Sequence, residues 1–332
     1  MSVLIVTQAE VPALLPMAEC IDVVARVLET VAQGEAVLPL RQSLILPDRS
    51  GRLATMPAFT ATPPALGLKV ITVFPGNEGS ELDSHQGAVL LFEPEQGRLL
   101  AIMDASSITA IRTAAASAVA TRALARPEAS ELAVLGSGVQ ARTHVKAMLC
   151  VRPIRRVRVW SRTPEHARAF ARAIQERHGI SVEAVPDART AVAAADVVCT
   201  VTTAAEPILR GDWLPLGAHV NAVGSSTPAH RELDADAVRR ARLYVDRRES
   251  ALAESGDFLL ARAEGAVTDD HILGEIGQVL AGTLPGRASP DEVTLFKGLS
   301  IAVEDLAAAQ HIYERAHAAG AGTWIELGGR RE

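Results

Sequence analysis

The chain has 332 residues, of which 48% are hydrophobic and 22% are charged, and its formal net charge is −6. This composition is typical of a globular protein of about two domains, and it lacks the basic excess that nucleic-acid binding requires. The cysteines at positions 20, 150 and 199 are far apart and indicate no disulfide framework, so we expect a cytoplasmic protein without a secretory leader or a membrane span.

The first third of the chain predicts one helix and a mostly antiparallel sheet. Apolar residues at helical spacing follow Pro16 and stop at Gly34. Short runs with strand character come next, at residues 40–46, 53–56, 68–74, 88–92 and 99–103. Residues 93–97 between the last two runs predict a hairpin turn. Asp104 is then expected to cap a long helix over residues 106–125.

From residue 131 onward, strands and helices alternate, which predicts a parallel sheet covered by helices. The predicted strands are residues 132–135, 157–160, 182–185, 196–200, 219–223 and 243–245. Helices are predicted over residues 139–149 and 165–177. The chain closes with a predicted helix over residues 299–319 and an extended segment over 323–327. We expect this last part to return to the first domain.

A glycine-rich motif lies between the first of these strands and its helix. Its residues are Gly136, Ser137, Gly138, Val139, Gln140 and Ala141. In a Rossmann fold the first glycine makes a tight turn, the second lets the backbone approach a pyrophosphate, and the small third residue lets helix and strand pack closely. The motif predicts a dinucleotide site. The alternative is a glycine-rich turn in an empty Rossmann-like domain.

The residues that follow the second predicted strand bear on the choice of cofactor. They are Ser161, Arg162 and Thr163. An NAD site usually has an acid here to bind the ribose 2′-hydroxyl, whereas an arginine suits the 2′-phosphate of NADPH. We therefore expect NADPH rather than NADH, and the alternative is an exposed loop arginine followed by a helix cap. Thr202 and Val223, near the ends of later strands, are expected to line the nicotinamide pocket.

Three cations of the first domain are candidates for binding an anionic substrate. Arg112 lies on the apolar face of the long helix, Lys69 has apolar neighbours on its strand, and Arg41 lies in a strand that is expected to face the core. Buried charge is costly unless it is paired, and few acids are well placed, so a substrate carboxylate is the expected partner. The alternatives are that each cation reaches water or pairs with Glu81 or Asp83. If Arg112 has no protein partner, Arg112→Leu is expected to abolish turnover nearly completely and to leave the fold intact.

Other site types are not supported by the sequence. It has neither the G-x-S-x-G motif of serine hydrolases nor the H-E-x-x-H motif of zinc proteases, and no metal site is predicted. His85 is more typical of a loop or cap residue than of a catalytic base. It is a minor candidate for a cofactor contact, and Thr113 is a further one.

Six motifs together resemble the ornithine cyclodeaminase/mu-crystallin family. They are SHQG at residues 84–87, LLFEP at 90–94, ITAIRTAA at 108–115, GSGVQA at 136–141, NAVG at 221–224 and FKG at 296–298. The resemblance covers nearly the whole chain and implies a homodimer in which Arg41, Lys69 and Arg112 hold the substrate carboxylate. It implies an α/β fold, with a Rossmann NADP-binding domain (116–300) inserted in a smaller α+β substrate-binding and dimerisation domain formed by residues 1–115 and the returning segment 301–332.

The resemblance is greater to the ketimine reductase and pyrroline-2-carboxylate reductase branch than to the cyclodeaminases. Cyclodeaminases have an essential aspartate at the position of Ser226 and an acid near that of Ala54, and both acids are missing here. This implies NADPH-dependent reduction of a cyclic ketimine carboxylate, such as 1-pyrroline-2-carboxylate or 1-piperideine-2-carboxylate, to the cyclic amino acid. The alternatives are an ornithine cyclodeaminase, an alanine or arginine dehydrogenase, and an NADPH-dependent small-ligand-binding protein. No nucleic-acid or membrane partner is expected.

Overall fold

The computed structural model describes residues 2–77 and 80–328 of the chain. The strands, in chain order, are β1 (Ser2–Val6), β2 (Ala36–Val37), β3 (Gln42–Ile45), β4 (Arg52–Ala61), β5 (Pro64–Val73), β6 (His85–Phe92), β7 (Leu99–Asp104), β8 (Glu131–Leu135), β9 (Arg156–Trp160), β10 (Ser181–Ala184), β11 (Val197–Thr200), β12 (His219–Ala222), β13 (Arg242–Val245), β14 (Ile272–Glu275), β15 (Thr294–Lys297) and β16 (Thr323–Glu326).

The helices, in chain order, are α1 (Val11–Leu14), α2 (Met17–Ala32), α3 (Ala105–Leu124), α4 (Val139–Val151), α5 (Pro164–His178), α6 (Ala188–Val192), α7 (Ala235–Arg240), α8 (Arg248–Glu254), α9 (Gly256–Ala263), α10 (Ile276–Leu280) and α11 (Ala302–Ala319). The chain divides into two compact units. Unit 1 comprises Met1–Thr113 with Ile301–Glu332, and unit 2 comprises Ala114–Ser300. Among the described residues, no helix combines the length and the apolar composition needed to cross a membrane.

Unit 1 is built on one mixed sheet. Its strand order is β16-β1-β7-β6-β5-β4-β2, and β3 pairs with β4 beside this path. The neighbouring strands are antiparallel except for β1 and β7, which confirms the predicted, mostly antiparallel sheet. Along β4 and β5, buried and more exposed residues alternate, as the period of two in a strand requires. Helix α11 contacts both of these strands and also α2, so one face of the sheet is covered by helices.

Unit 2 is the predicted α/β part of the chain. Its sheet has the order β10-β9-β8-β11-β12-β15-β13-β14, and every pair of neighbouring strands is parallel. The chain moves outward from β8 in one direction to β10 and then returns to continue from β11 in the other direction. In such sheets ligands bind beyond the carboxyl ends of the strands where the order reverses. The loops after β8, β9, β11 and β12 are therefore expected to border the ligand.

One element boundary differs from expectation for an identifiable reason. Helix α11 begins at Ala302 rather than at residue 299, because the backbone N–H groups of Leu299 and Ser300 donate to the buried carboxylate of Asp246. Ser300 also has a positive φ of 66°, which is incompatible with a helix. Asp104 does cap α3 as predicted, since its carboxylate accepts the Ser107 N–H at 2.7 Å.

Candidate functional site

The turn after β8 is pressed against the end of β11. Gly136 has a φ of +125°, and a Cβ atom placed on it would lie 2.8 Å from the carbonyl oxygen of Val201. Its N–H donates to the carbonyl oxygen of Trp160 at 2.8 Å, which ties the turn to the end of β9 as well. Only glycine meets both requirements, so the first glycine of the motif is explained by backbone geometry.

Beyond this turn the loop opens into free space at the start of a helix. A Cβ atom on Gly138 would meet no atom within 4 Å, and Gly138 is the N-cap of α4. Val139 is 53% exposed and Gln140 is half-buried in the first turn. Ser137 donates from its hydroxyl to that of Ser161 at 2.9 Å, so the loops after β8 and β9 are linked. An accessible helix N-terminus with a hydroxyl beside it fits the pyrophosphate of a dinucleotide.

The residues after β9 form an accessible corner. Arg162 is exposed, and Thr163 is the N-cap of α5 but makes no side-chain hydrogen bond to that helix. The nearest acid along the chain, Glu165, pairs with Arg168 one turn further on. A cation and hydroxyl groups therefore occupy the corner where NAD sites carry a carboxylate.

The loops after β11 and β12 carry the two residues that we expected beside the nicotinamide. The Thr202 hydroxyl donates to Glu232 at 2.7 Å and accepts the Ala204 N–H at 3.1 Å, so its polar end is engaged within the protein. Val223 is half-buried, and its N–H donates to the carbonyl oxygen of Thr200 at 3.0 Å. Glu232 was not predicted as a site residue from the sequence.

A buried charge cluster lies in unit 1, where β5, α3 and α11 meet. Arg112 donates from Nε to Asp305 at 2.8 Å and from Nη1 to Glu304 at 3.0 Å. Lys69 Nζ lies 3.1 Å from the same Asp305 oxygen and 2.6 Å from the Thr109 hydroxyl. The four charged side chains are each at most 3% exposed, so the charges interact with little screening by water.

The charged groups of this cluster shift one another's pKa values. Burial lowers the pKa of Lys69 to about 8, and the neighbouring cations Arg112 and Arg41 add to that shift while Asp305 opposes it. Burial alone would raise the pKa of Asp305, but Arg112 and Lys69 outweigh it and hold that pKa below its usual value. At pH 7 the cluster therefore contains ionised groups of both signs.

The expectation that the first domain offers few acids to neutralise these cations is wrong. The partners of Lys69 and Arg112 are Glu304 and Asp305 of α11, and they are neither Glu81 nor Asp83. Sequence reasoning missed them because two adjacent acids in the first turn of a helix are normally explained by the helix dipole. A usable signal was the apolar stretch around them, since Ala302 and Val303 precede the two acids and Leu306 follows them.

The expectation that Arg41 lies in a strand facing the core is also wrong. Arg41 immediately precedes β3, which is exposed along its whole length and whose Ile45 is 63% exposed. All four residues of β3 are exposed, so this strand has no face on the core of unit 1. Arg41 itself is half-buried and is close enough to Lys69 to lower its pKa.

The two minor candidates for cofactor contacts lie in unit 1. His85 was expected in a loop or at a cap, but it is the first residue of β6. Its Nδ1 is 3.0 Å from the Ser84 hydroxyl. Partial desolvation and the nearby Lys69 and Arg52 lower the pKa of His85, so that it is neutral at pH 7. Thr113 is buried near the middle of α3.

Comparison with known proteins places these features in a family context. The model of the ornithine cyclodeaminase/mu-crystallin family matches residues 1–320. The chain is 44% identical over 281 residues to the ketimine reductase mu-crystallin of Mus musculus, a match that covers 85% of this chain and 86% of the mouse protein.

Two solved structures match both units. One is Thermococcus litoralis Delta(1)-pyrroline-2-carboxylate reductase in complex with NADH and L-proline, with a TM-score of 0.94 and 37% identity, covering 96% of this chain and 99% of that one. The other is an archaeal alanine dehydrogenase dimer with bound NAD, with a TM-score of 0.93 and 32% identity, covering 99% of this chain and 100% of that one.

Proposed function

Since this chain belongs to the ornithine cyclodeaminase/mu-crystallin family, we propose that it is a nicotinamide-dependent imine reductase that converts a cyclic ketimine carboxylate to the cyclic amino acid. The preferred substrates are 1-pyrroline-2-carboxylate and 1-piperideine-2-carboxylate. The observation that carries the proposal is the buried cation cluster of unit 1, in a chain whose relatives named above include a ketimine reductase and a pyrroline-2-carboxylate reductase.

The concentration of cations in the cluster supports a role in binding a carboxylate. Lys69 and Arg112 lie together, paired with Asp305 and Glu304, and Arg41 is close enough to lower the pKa of Lys69. A substrate carboxylate bound beside these side chains is attracted by all three positive charges. The protein's own acids hold Lys69 and Arg112 in place before substrate binds, so binding has a low cost in side-chain entropy.

The bound nicotinamide supplies the hydride. Gly136, Gly138 and the N-terminus of α4, with Val139 and Gln140 in its first turn, hold the pyrophosphate. Thr202 and Val223 border the nicotinamide, and His85 and Thr113 are proposed to make further contacts. We propose NADPH as the preferred cofactor because Ser161, Arg162 and Thr163 place donors where NAD sites have an acid. The T. litoralis relative holds NADH, so this preference depends on those three residues alone.

The proton for the imine nitrogen need not come from a strong acid of the protein. An imine nitrogen is basic enough to be protonated near neutral pH, and the protonated form is the better electrophile. The task of the chain is then to orient the substrate by its carboxylate and to bring it close to the hydride donor.

The positions that carry acids in the cyclodeaminases support reduction rather than deamination. Ala54 is buried in β4, and Ser226 is half-buried in the loop after β12. A serine hydroxyl without an adjacent base cannot remove the proton from the δ-amine of ornithine near pH 7. It also cannot neutralise the ammonium group of ornithine.

We also propose that the protein is a homodimer, with unit 1 as the dimerisation domain, because the archaeal alanine dehydrogenase of similar fold is a dimer. Cys20, Cys150 and Cys199 are free thiols, which supports the cytoplasmic location that we propose.

A substrate panel tests the proposed reaction directly. Oxidation of NADPH and of NADH is followed with 1-pyrroline-2-carboxylate, with 1-piperideine-2-carboxylate and with pyruvate plus ammonia, and ammonia release is followed with ornithine. We expect rapid turnover of a cyclic imine and none of ornithine. Preferred turnover of pyruvate with ammonia would instead favour an alanine dehydrogenase, the activity of the archaeal relative. Ammonia release from ornithine with little imine reduction would refute both the reductase assignment and the importance of Ser226.

A further inference from the structure

One completely buried carboxylate in unit 2 has no part in the function described so far. Glu232 accepts four hydrogen bonds: from the Thr200 hydroxyl at 2.8 Å, the Thr202 N–H at 2.6 Å, the Thr202 hydroxyl at 2.7 Å and the Gly224 N–H at 2.7 Å. All four donors are supplied by the ends of β11 and β12 or by the loops that follow them. A single carboxylate thus joins two loops that are separate in sequence.

These loops border the expected nicotinamide half of the cofactor site. Val201, between the two threonines bound by Glu232, is the residue whose carbonyl contacts Gly136 of the cofactor loop. Thr202 and Val223 are the proposed nicotinamide contacts, and each is next to a donor to Glu232 or is itself one. Glu232 therefore lies directly behind the residues proposed to touch the ring.

The two loops are in such close contact that only glycine fits at one position. A Cβ atom on Gly224 would lie 2.1 Å from the Thr202 carbonyl oxygen and 2.5 Å from Glu232 Oε1. A side chain there would force the loops apart by an ångström or more. The glycine of the NAVG motif is thus required by the geometry that Glu232 maintains.

A buried ion pair between Asp257 and Lys297 fixes Glu232 and the rest of its loop. Asp257 Oδ1 accepts the backbone N–H groups of Glu232 at 2.7 Å and of Leu233 at 2.9 Å. Lys297 Nζ lies 2.9 Å from the other Asp257 oxygen and donates to the carbonyl oxygen of Ser225 at 2.5 Å. The whole segment from Ser225 to Leu233, which carries Ser226, is therefore held at both ends by charged groups.

This arrangement is expensive for a purely structural role. A buried carboxylate costs several kcal/mol in desolvation, and apolar residues of similar volume often stabilise a fold as well or better. What four charge-assisted hydrogen bonds add is a single fixed geometry of the two loops. Burial, and then the nearby Asp257, raise the pKa of Glu232, and protonation would replace an acceptor with a donor facing other donors.

We propose that Glu232 is a positioning residue for the nicotinamide ring, because it fixes Thr202 and Val223 in one geometry through its hydrogen bonds to Thr200, Thr202 and Gly224. The inference rests on the proposed function in so far as it assumes a nicotinamide cofactor in unit 2. It does not depend on which imine is reduced. The adenosine half of the cofactor is held by other loops, so Glu232 should matter for only one half of the molecule.

The test compares Glu232→Gln with the wild type on the two halves of the cofactor. Affinity for adenosine 2′,5′-bisphosphate, which lacks the nicotinamide, is measured by calorimetry and should be unchanged. The increase in reduced-nicotinamide fluorescence on NADPH binding should be lost or strongly reduced. With imine substrate, kcat should fall roughly 100-fold, as expected for misplacement by about 1 Å, while the KM for the imine changes little. The deuterium isotope effect with 4-deuterated NADPH should increase, because hydride transfer becomes slower than the other steps.

Two further variants separate positioning from general destabilisation. Thr200→Val removes one of the four donors and keeps the carboxylate, so it should give a smaller effect in the same direction even if Glu232→Gln does not fold. Asp196→Asn is the control, at a half-buried carboxylate that also accepts backbone N–H groups and pairs with Arg126. Asp196 directly precedes β11 and accepts the Ser130 and Glu131 N–H groups at 2.8 and 3.0 Å. It therefore lies at the amino ends of the strands, away from the loops that Glu232 joins. This variant should be less heat-stable but retain normal nicotinamide fluorescence.

Failure of this inference differs from failure of the proposed function. If the Glu232 and Thr200 variants weaken bisphosphate and NADPH binding equally, or match Asp196→Asn in every readout, Glu232 is only structural. If the wild type enhances nicotinamide fluorescence but reduces no imine, the proposed reaction fails and the fluorescence data still decide the role of Glu232. If the wild type binds neither NADPH nor NADH, both proposals are refuted.

Discussion

Substitution of Arg112 by leucine tests whether this arginine is paired within the buried charge cluster or lacks a protein partner. An arginine without a protein partner could be removed at little cost to the fold. The structure instead gives it two buried acidic partners, at 2.8 Å and 3.0 Å, and the variant removes this cation from both, while Lys69 stays beside Asp305. Removing one partner of a buried ion pair costs about 3–5 kcal/mol. At about 2–4 °C per kcal/mol for a unit of this size, we expect the melting temperature to fall by about 6–20 °C.

The pH dependence of this loss identifies its cause. In the wild type, Arg112 and Lys69 hold the pKa of Asp305 below its usual value. Their interaction with Asp305 therefore stabilises the fold fully at pH values above the pKa of Asp in the unfolded chain, about 4, and this stabilisation is lost in more acidic solution. Without Arg112 the effect of burial dominates, and the Asp305 pKa rises above that of the unfolded chain. The folded variant then binds a proton as the pH falls. The stability difference between wild type and variant should therefore be largest at pH 7 and smaller near pH 5.

Scanning calorimetry at pH 7 and pH 5 measures the stability difference between wild type and variant. The method is suitable because it resolves separate transitions if the two units unfold independently. Arg112→Lys is the matched control: it keeps a cation but lacks the planar fork that reaches two carboxylates, so it should fall between wild type and leucine variant. Turnover should be nearly abolished in Arg112→Leu even below its melting temperature. A leucine variant that melts with the wild type at pH 7, or a difference independent of pH, would refute the buried ion-pair assignment.

Two further substitutions test the cofactor choice and the carboxylate site. Arg162→Ala should raise the KM for NADPH roughly 10- to 100-fold and change that for NADH little, because a charge-assisted phosphate contact is lost; equal effects would exclude a 2′-phosphate role. Burial lowers the pKa of Lys69 to about 8, and only its protonated form attracts a carboxylate, so kcat/KM for the imine should decline as the pH rises through 8. Part of this decline comes from deprotonation of the imine substrate, and Lys69→Arg should remove the rest. A pH profile of kcat/KM that is the same in this variant and the wild type would show that Lys69 does not cause the decline.

Local patterns were enough to predict most of the fold. The alternation of strands and helices from residue 131 onward predicted the parallel sheet of unit 2, and the long helix after Asp104 was placed within a residue at each end. These signals are local, because periodicity and capping depend on residues within a few turns of one another. The strands β14 and β15 were missed because four residues are too few to show a clear period of two. Strand β1 was missed although its apolar residues 3–6 are a strand signal.

The cofactor loop was also readable from sequence, for a related reason. The glycines at 136 and 138 and the following helix are adjacent along the chain, so the motif is visible as a pattern, although the atom that excludes a side chain at 136 is the distant carbonyl oxygen of Val201. The importance of Gly224 was not readable in the same way. Its partner atoms belong to Thr202 and Glu232, which only the folded sheet brings within 2.5 Å.

The chain's order of amino acids by itself determined the type of fold, the position of the dinucleotide loop and the presence of unusual cations at 69 and 112. Tertiary structure alone decided what those cations bind, because Glu304 and Asp305 are almost two hundred residues or more away in sequence and meet them only when α11 packs on β5 and α3. It likewise decided that Arg41 lies beside an exposed strand and that Glu232 joins two loops. Burial and pairing of charge depend on which distant segments come into contact, and one-dimensional patterns do not record those contacts.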